Sequence, residues 1–221
     1  MTRTVQLVTG AEVRLHNEAA AMAVILVNGG SARALPGTWS ATSELLTKEL
    51  APQFPGLAFA DMRYRVKTWN ELESCMADAR AALDLVARPS LLVGFSMGGA
   101  VSIGAAGHEA VTGVLGLAPW IPGLLSLDGL LGKRLDVLHG SWDCFLPGIP
   151  GVSAASSRRG FERSRALGID GTYTLIKRGL HGAAIRRRSG AITRLPRAQA
   201  WVEGVGERLE VFQAASRRRD L

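Results

Sequence analysis

Residues Leu91 to Ala100 read LLVGFSMGGA, an apolar run that ends in a serine flanked by glycines. The run before Gly94 is typical of a strand buried on both faces. A helical pattern begins directly after the serine and continues from Met97 to Ala110. Glycines two residues before and two after Ser96 predict a tight, sterically crowded turn between strand and helix. We therefore expect the Ser96 hydroxyl to be lifted above the end of a β-sheet.

Apolar strand patterns and amphipathic helix patterns alternate along the rest of the chain. The segments TVQLV and AEVRLHN flank a Thr9-Gly10 turn, which predicts an antiparallel hairpin at a sheet edge. Asn70 and Glu73 are predicted to cap a helix. Further strands are predicted within residues 21–30, 56–64, 90–95, 111–119, 134–140 and 171–179, and helices within 40–50, 70–86, 97–110 and 201–212. The alternation predicts an α/β fold with a mostly parallel central sheet and helices on both faces, in a single domain spanning residues 1–221.

The composition is that of an ordinary globular protein. Of 221 residues, 47% are hydrophobic and 20% are charged, which suffices for one substantial core. No apolar run reaches the roughly 18 residues of a membrane span, and the N-terminus lacks an apolar signal core. We expect a cytoplasmic protein with no membrane partner.

The chain offers no pattern for a metal or an organic cofactor. Cys75 and Cys144 have no metal-ligand spacing and predict no disulfide framework. The four histidines form no ligand pattern either. The glycines that follow Asn28 match neither a dinucleotide fingerprint nor a phosphate-binding loop. We expect no metal and no cofactor.

Basic residues are in excess, with a net charge of +7 and a sequence pI near 10.2. Most of the excess lies in short runs, which are Arg158-Arg159, Lys177-Arg178, Arg186-Arg187-Arg188 and Arg217-Arg218-Arg219. None of them is interleaved with aromatic residues, and none matches a DNA- or RNA-binding signature. We interpret them as a solvated basic surface and expect no nucleic-acid partner, with polyanion binding as the alternative.

The stretch Gly94-x-Ser96-x-Gly98, placed between a strand and a helix, matches the nucleophile elbow, and the chain resembles the α/β-hydrolase superfamily over nearly its whole length. The resemblance implies the order nucleophile, acid, histidine, each on a loop after a strand. RLDVLHGSWDCFLP then supplies Asp143 as the acid, and TLIKRGLHGAA supplies His181. In the second loop Leu180 separates the glycine from the histidine, which departs from the family's common Gly-His.

Other side chains compete for these roles, namely Asp128, Asp170, His16, His108 and His139. Asp170 falls in a turn before the last strand, at the wrong end of the sheet. The three histidines fall in a hairpin, a helix and a strand, all ahead of the acid, so only His181 satisfies the order. Taken alone, Ser96 could be a helix N-cap and Asp143 a turn residue.

The resemblance also implies an oxyanion hole built from two backbone N–H groups. Met97, directly after the nucleophile, would supply the first. Gly30 would supply the second from VNGGS, which replaces the family's usual His-Gly, with Ser31 as the fallback. Ser31, Trp120 and Trp142 are candidate pocket residues, and the two tryptophans are equally compatible with ordinary packing.

A short interval, APWIPGLLSLDGLLGK, lies where many relatives carry a cap domain. It predicts no cap and a shallow, open site for small or exposed acyl groups. The resemblance then implies a carboxylesterase or dienelactone-hydrolase-like enzyme that cleaves small-molecule esters or thioesters through an acyl-enzyme. Peptidases, acyltransferases and perhydrolases use the same triad, and a non-catalytic binding module on the hydrolase fold is the alternative from another class.

Overall fold

The computed structural model describes residues 2–143 and 151–217, so Cys144 lies outside the described residues. Within these ranges the chain forms twelve strands and five α-helices. The strands are β1 Arg3–Gln6, β2 Glu12–His16, β3 Met22–Val27, β4 Leu35–Pro36, β5 Leu57–Arg63, β6 Val66–Lys67, β7 Ser90–Phe95, β8 Val111–Leu117, β9 Arg134–Gly140, β10 Tyr173–Ile176, β11 Ala184–Arg186 and β12 Ile192–Arg194. The helices are α1 Ala41–Leu50, α2 Leu72–Val86, α3 Met97–Ala105, α4 Ala154–Ala166 and α5 Ala198–Arg217.

Eight strands form one sheet in the order β1-β2-β5-β3-β7-β8-β9-β10. The β1–β2 hairpin lies at the edge, and both β1–β2 and β2–β5 are antiparallel. All other neighbours are parallel, which confirms the mostly parallel sheet. The chain places β5 on one side of β3 and β7 on the other, so the strand order reverses there. In such sheets the crevice at the carboxyl ends of the diverging strands is the usual ligand site.

Helices cover both faces of the sheet, as predicted. α1 and α5 pack on one face, where Leu46, Trp201 and Leu209 are buried against the strands. α2, α3 and α4 cover the other face through apolar residues that include Leu83, Val101 and Phe161. Because each strand of the parallel core contributes side chains to both apolar layers, these strands read as continuous apolar runs.

Two local expectations are wrong. The α3 helix ends at Ala105 and not at residue 110, because the amides after it bond three residues back in turns. Asn70 and Glu73 do not cap α2. Thr68 instead caps a single 3-10 turn, Trp69–Glu71, that precedes α2, and Asn70 donates its side-chain amide to Ala32 O at 3.2 Å.

Three further features of the structure were not predicted from the sequence. α4 carries few apolar residues, with Phe161 its main core contact, so no apolar period predicts it. The β11–β12 hairpin follows directly on the His181 loop, and the two-residue strands β4 and β6 pair with each other.

No cap domain interrupts the fold between β8 and β9. Residues 118–133, all of them described, hold a loop and the single 3-10 turn Asp128–Leu130. Within the described ranges, no helix combines the length and the apolar character that crossing a membrane requires.

Candidate active site

Ser96 lies in the turn between β7 and α3 with φ 55° and ψ −118°, a conformation that non-glycine residues rarely adopt. Backbone contacts enforce it: Ser96 N donates to Leu117 O, and Trp120 N donates to Ser96 O, both at 2.9 Å. A side chain at Gly98 would place its Cβ 2.6 Å from Asn28 O. The glycines thus let the first turn of α3 lie against the end of β3.

Asp143 and His181 come together across two neighbouring loops. The Asp143 Oδ2 oxygen lies 2.6 Å from His181 Nδ1, although the two residues are far apart in sequence. Asp143 follows β9 and is 6% exposed. Since the carboxyl ends of parallel strands meet at one edge, β9 and β10 deliver the acid and the histidine to the same place.

Backbone contacts hold these two loops together. Trp142 N donates to Gly179 O at 2.9 Å, and Arg178 N donates to Ser141 Oγ at 2.9 Å. Gly140 permits the close approach, because a Cβ there would lie 2.5 Å from Leu180 O. The acid loop and the histidine loop therefore form one unit.

The Asp143 carboxyl is held in its charged form. Burial disfavours the charge, but the N–H groups of His139 and His181 and the positive charge that these rings can carry outweigh burial and lower the pKa of Asp143. An ionised carboxylate accepts the Nδ1–H of His181, which leaves Nε2 of that ring as a proton acceptor.

Two further residues fix the histidine loop, and the sequence analysis did not single out either of them. Thr42, in the first turn of α1, accepts hydrogen bonds from Ala183 N and Ala184 N at 3.2 and 3.3 Å. The ring of Phe95, the residue before Ser96, lies 4.9 Å from the His181 ring centroid. These contacts place the imidazole beside the elbow.

Similar solved structures were found, although no protein-family model and no curated protein matches the sequence. A sugar hydrolase from Lactococcus lactis is 18% identical, with a TM-score of 0.73 over 97% of this chain and 99% of that one. A dienelactone hydrolase from Anabaena variabilis is 17% identical, with a TM-score of 0.65 over 94% and 95%. A serine hydrolase without lid from Xanthomonas campestris is 15% identical, with a TM-score of 0.58 over 82% and 85%. The chain has the α/β-hydrolase fold.

In this α/β-hydrolase fold, the two candidate oxyanion donors are neighbours. Met97 is the first residue of α3, so its N–H has no partner within the helix. A Cβ on Gly30 would lie 2.9 Å from the Met97 Cε, so the loop after β3 packs directly on this residue. Gly29 N–H bonds the Asn28 side chain at 2.6 Å, which leaves Gly30 as the next amide of the loop.

The three candidate pocket residues differ in their surroundings. Trp120 is partly buried against the core and donates its backbone N–H to Ser96 O. Trp142 is 56% exposed, with the Arg178 guanidinium 5.9 Å from its ring. Ser31 is partly buried and accepts two hydrogen bonds, from Trp69 N to its carbonyl oxygen and from Arg33 N to its Oγ.

Ser96 and His181 are adjacent in the fold but not hydrogen-bonded among the described residues. In unliganded enzymes such catalytic bonds are often long and tighten only with substrate.

The rival acids lie elsewhere. Asp128 bonds Ser126 Oγ locally, and Asp170 pairs with Arg165 before β10.

Two of the rival histidines pair with other carboxylates, whereas the third touches the candidate acid. His16 lies 3.7 Å from Asp61 and His108 lies 3.1 Å from Asp84. His139, set aside in the sequence analysis because of its place within a strand, lies 3.3 Å from Asp143 Oδ2.

No group of three or more His, Cys, Asp or Glu side chains that could hold a metal ion occurs in the part of the chain that is described. A groove of about 320 Å³ lies under α5 at the amino ends of β8 and β9, lined by Arg134, Arg208 and Phe212 among others. None of the candidate residues lines this groove, which is therefore separate from the candidate site.

Proposed function

We propose that this protein is a serine hydrolase that cleaves small carboxylic esters or thioesters through Ser96, His181 and Asp143. The supporting observation is the positive φ angle of Ser96 at the strand–helix junction, with an acid–histidine pair in the adjacent loops. A strained serine with no hydrogen bond to a neighbouring side chain among the described residues favours nucleophilic chemistry over capping.

In the first step, Ser96 Oγ attacks the carbonyl carbon of the ester while His181 Nε2 takes its proton. The Nδ1–H bond to Asp143 fixes the ring so that Nε2 faces the nucleophile, and the carboxylate stabilises the imidazolium. Negative charge develops on the carbonyl oxygen. The N–H groups of Met97 and Gly30 donate hydrogen bonds to this oxygen. Each such donor contributes about 3 kcal/mol in comparable sites.

The tetrahedral intermediate then collapses. The bond between the carbonyl carbon and the leaving oxygen or sulfur breaks, and His181 gives its proton to that atom, so the alcohol or thiol leaves. Water attacks the acyl-enzyme with the same proton transfers and releases the carboxylic acid. The sum is hydrolysis, with no cofactor or metal required.

The open surroundings favour small or exposed acyl groups. Only a loop and one short turn separate β8 from β9, and the Trp142 ring stands at the surface beside the acid loop. A long acyl chain would find little apolar cover there. The likeness to a serine hydrolase without lid and to a dienelactone hydrolase is consistent with this substrate class.

A fluorophosphonate probe tests the proposal, because only an activated serine reacts with it. Mass spectrometry should locate the adduct on Ser96, and Ser96→Ala should abolish labelling. Ser126→Ala, at an exposed serine, is the matched control and should label normally. A panel of p-nitrophenyl esters should then show fastest turnover with short acyl chains. A wild-type protein that neither labels nor turns over any ester would favour the binding-module alternative.

A further inference from the structure

A second histidine reaches the Asp143 carboxylate from inside the protein. His139, in β9, is completely buried, and its Nε2 lies 3.3 Å from Asp143 Oδ2. The same nitrogen lies 2.8 Å from the carbonyl oxygen of Val152. One oxygen of Asp143 therefore stands between two imidazoles, with His181 on the solvent side.

The surroundings determine which nitrogen of His139 carries the hydrogen. Nε2 faces two acceptors and must donate. Nδ1 is buried and has no hydrogen-bond partner among the described residues. A hydrogen there would be desolvated without compensation, which is costly, so the tautomer with its hydrogen on Nε2 is the favoured one.

The ring itself cannot easily turn away. It lies nearly parallel to the Tyr173 ring of β10, with an interplanar angle of 12° and a centroid distance of 6.3 Å. Tyr173 is in turn fixed by a 2.9 Å hydrogen bond from its hydroxyl to Ala154 O. The donor is thus held in place by the edge of the sheet and by the start of α4.

The Asp143 carboxylate depends on this donor for its orientation. Its second oxygen, Oδ1, is buried and has no hydrogen-bond partner within residues 2–143 and 151–217. The hydrogen bonds that fix the carboxylate in this part of the chain therefore converge on Oδ2. His139 is the only one of the two donors whose own position is set by the core, since the His181 ring is partly exposed.

We propose that His139 is a positioning residue that shares its Nε2–H between Val152 O and Asp143 Oδ2 and thereby keeps the carboxylate turned toward His181. This inference rests on the proposed function of the Ser96, His181 and Asp143 set. His139 touches neither substrate nor nucleophile, so it acts through Asp143 alone. It also links the acid to Val152, two residues before α4.

Two substitutions separate positioning from packing. His139→Leu removes the donor and retains much of the volume, whereas His139→Gln keeps an amide N–H at similar reach. We expect kcat of His139→Leu to fall by about tenfold to a hundredfold, the usual effect of losing a hydrogen bond to a charged group, with KM little changed. His139→Gln should recover most of the loss, and the acidic limb of the pH–kcat profile should move in the leucine variant only.

Ser164→Ala is the matched control. It removes a buried hydrogen bond within α4, from the Ser164 hydroxyl to Phe161 O at 2.6 Å, and touches neither His139 nor Tyr173, so it should lower stability and leave kcat and the pH profile unchanged. Equal kcat losses in the leucine and glutamine variants, in proportion to their unfolded fractions, would show a packing role and overturn the inference.

The wild-type protein supplies a test that needs no substitution. Nitrogen NMR of labelled histidines should show His139 as the Nε2–H tautomer and a strongly deshielded Nδ1–H on His181. A His139 ring with its hydrogen on Nδ1 would refute the inference, whatever the variants do. Labelling of wild-type Ser96 judges the proposed function separately, so an enzyme that labels while His139→Leu keeps full kcat would leave the function standing and the positioning role refuted.

Discussion

Ser96 has a backbone conformation that costs free energy for any side chain. The cost is tolerated because the turn is fixed from both sides, by the amides that bond it and by glycines that admit close backbone contacts. The residue is therefore presented to solvent by a rigid frame, and not by a loop that could relax.

Gly98→Ala tests this frame. Its Cβ would lie 2.6 Å from Asn28 O, and main chain cannot move aside as a flexible side chain can. We expect a loss of about 1–3 kcal/mol in the free energy of unfolding and reduced fluorophosphonate labelling of Ser96. Gly107→Ala, where an added Cβ meets only an ordinary contact, is the control. Chemical denaturation of both variants gives the comparison, and equal stabilities would contradict the close approach.

Asp143→Asn tests the acid. An amide can donate to His181 Nδ1 and so favour the wrong tautomer, with little change in shape. We expect turnover of p-nitrophenyl acetate to fall by about 10³- to 10⁴-fold while the circular dichroism spectrum stays native. Asp128→Asn, at an exposed rival acid, should keep parental activity. The assignment fails if the two variants show similar turnover.

For single residues, the sequence predicts those roles that belong to a recognisable motif. Ser96, Asp143 and His181 follow from the elbow and from the chain order. His139 and Thr42 do not, because their roles depend on contacts between segments that are distant in the chain. A histidine inside a strand is indistinguishable from a core residue until β9 and the acid loop are folded together.

Among the elements, α1 does more than cover the sheet. Its first turn carries Thr42, whose hydroxyl accepts from two amides of the chain after His181 and lies 3.2 Å from Ala184 O. The helix begins at this point because Ser40 caps it, accepting from Ser43 N. A helix end thus anchors a loop of the site.

Thr42→Val keeps the shape of the side chain and removes the hydroxyl. Two buried amides lose their partner, so we expect the free energy of unfolding to fall by about 1–3 kcal/mol and kcat to fall with it. Thr112→Val removes a hydroxyl whose one hydrogen bond among the described residues is to Ser90 O, so it should leave kcat unchanged. Thermal melts and ester turnover are measured on both variants. An unaltered kcat in Thr42→Val would show that the Thr42 hydroxyl does not position the His181 loop for catalysis.

Elements with clear periodicity are predictable, and those without it are not. The strands of the parallel core and α5 follow from apolar runs and spacings. α4 carries arginines and serines where a period would need apolar residues, so tertiary contacts around Phe161 determine it. The β11–β12 hairpin likewise has no alternating apolar pattern, with Ile185 and Ile192 both largely exposed.

For the whole molecule, one buried carboxyl should make stability depend on pH. Asp61, on β5, is buried, and desolvation raises the pKa of its carboxyl to about 6, although Thr47 and Arg14 oppose this. Burial also lowers the pKa of the neighbouring His16 ring. An unfolded aspartate releases its proton near pH 4. The free energy of unfolding therefore falls as the pH rises from about 4 to about 6, because in this range the folded state keeps the proton that the unfolded state has released.

Asp61→Asn should remove this loss. The amide oxygen can still accept from the Thr47 hydroxyl, which lies 3.0 Å from Asp61 Oδ1. Relative to the parent, the variant should gain stability of about 2–3 kcal/mol at pH 8, and the gain should shrink toward pH 4. Asp170→Asn, at an exposed carboxylate, is the control. Urea unfolding across this pH range measures the difference, and a gain that does not change with pH would contradict the assignment.

The placement of the acid and the histidine on β9 and β10 bears on the temperature at which the protein can work. β10 is a four-residue strand at the sheet edge, whereas Ser96 follows β7 near the middle. Edge strands open at lower free energy than central ones. On heating, ester turnover should therefore disappear before the circular dichroism signal does, and simultaneous loss of both would contradict this. The highest temperature at which the protein works is then set by the short pairing of β9 with β10 and not by the core. Substitutions that stabilise this pairing would raise that temperature without altering Ser96.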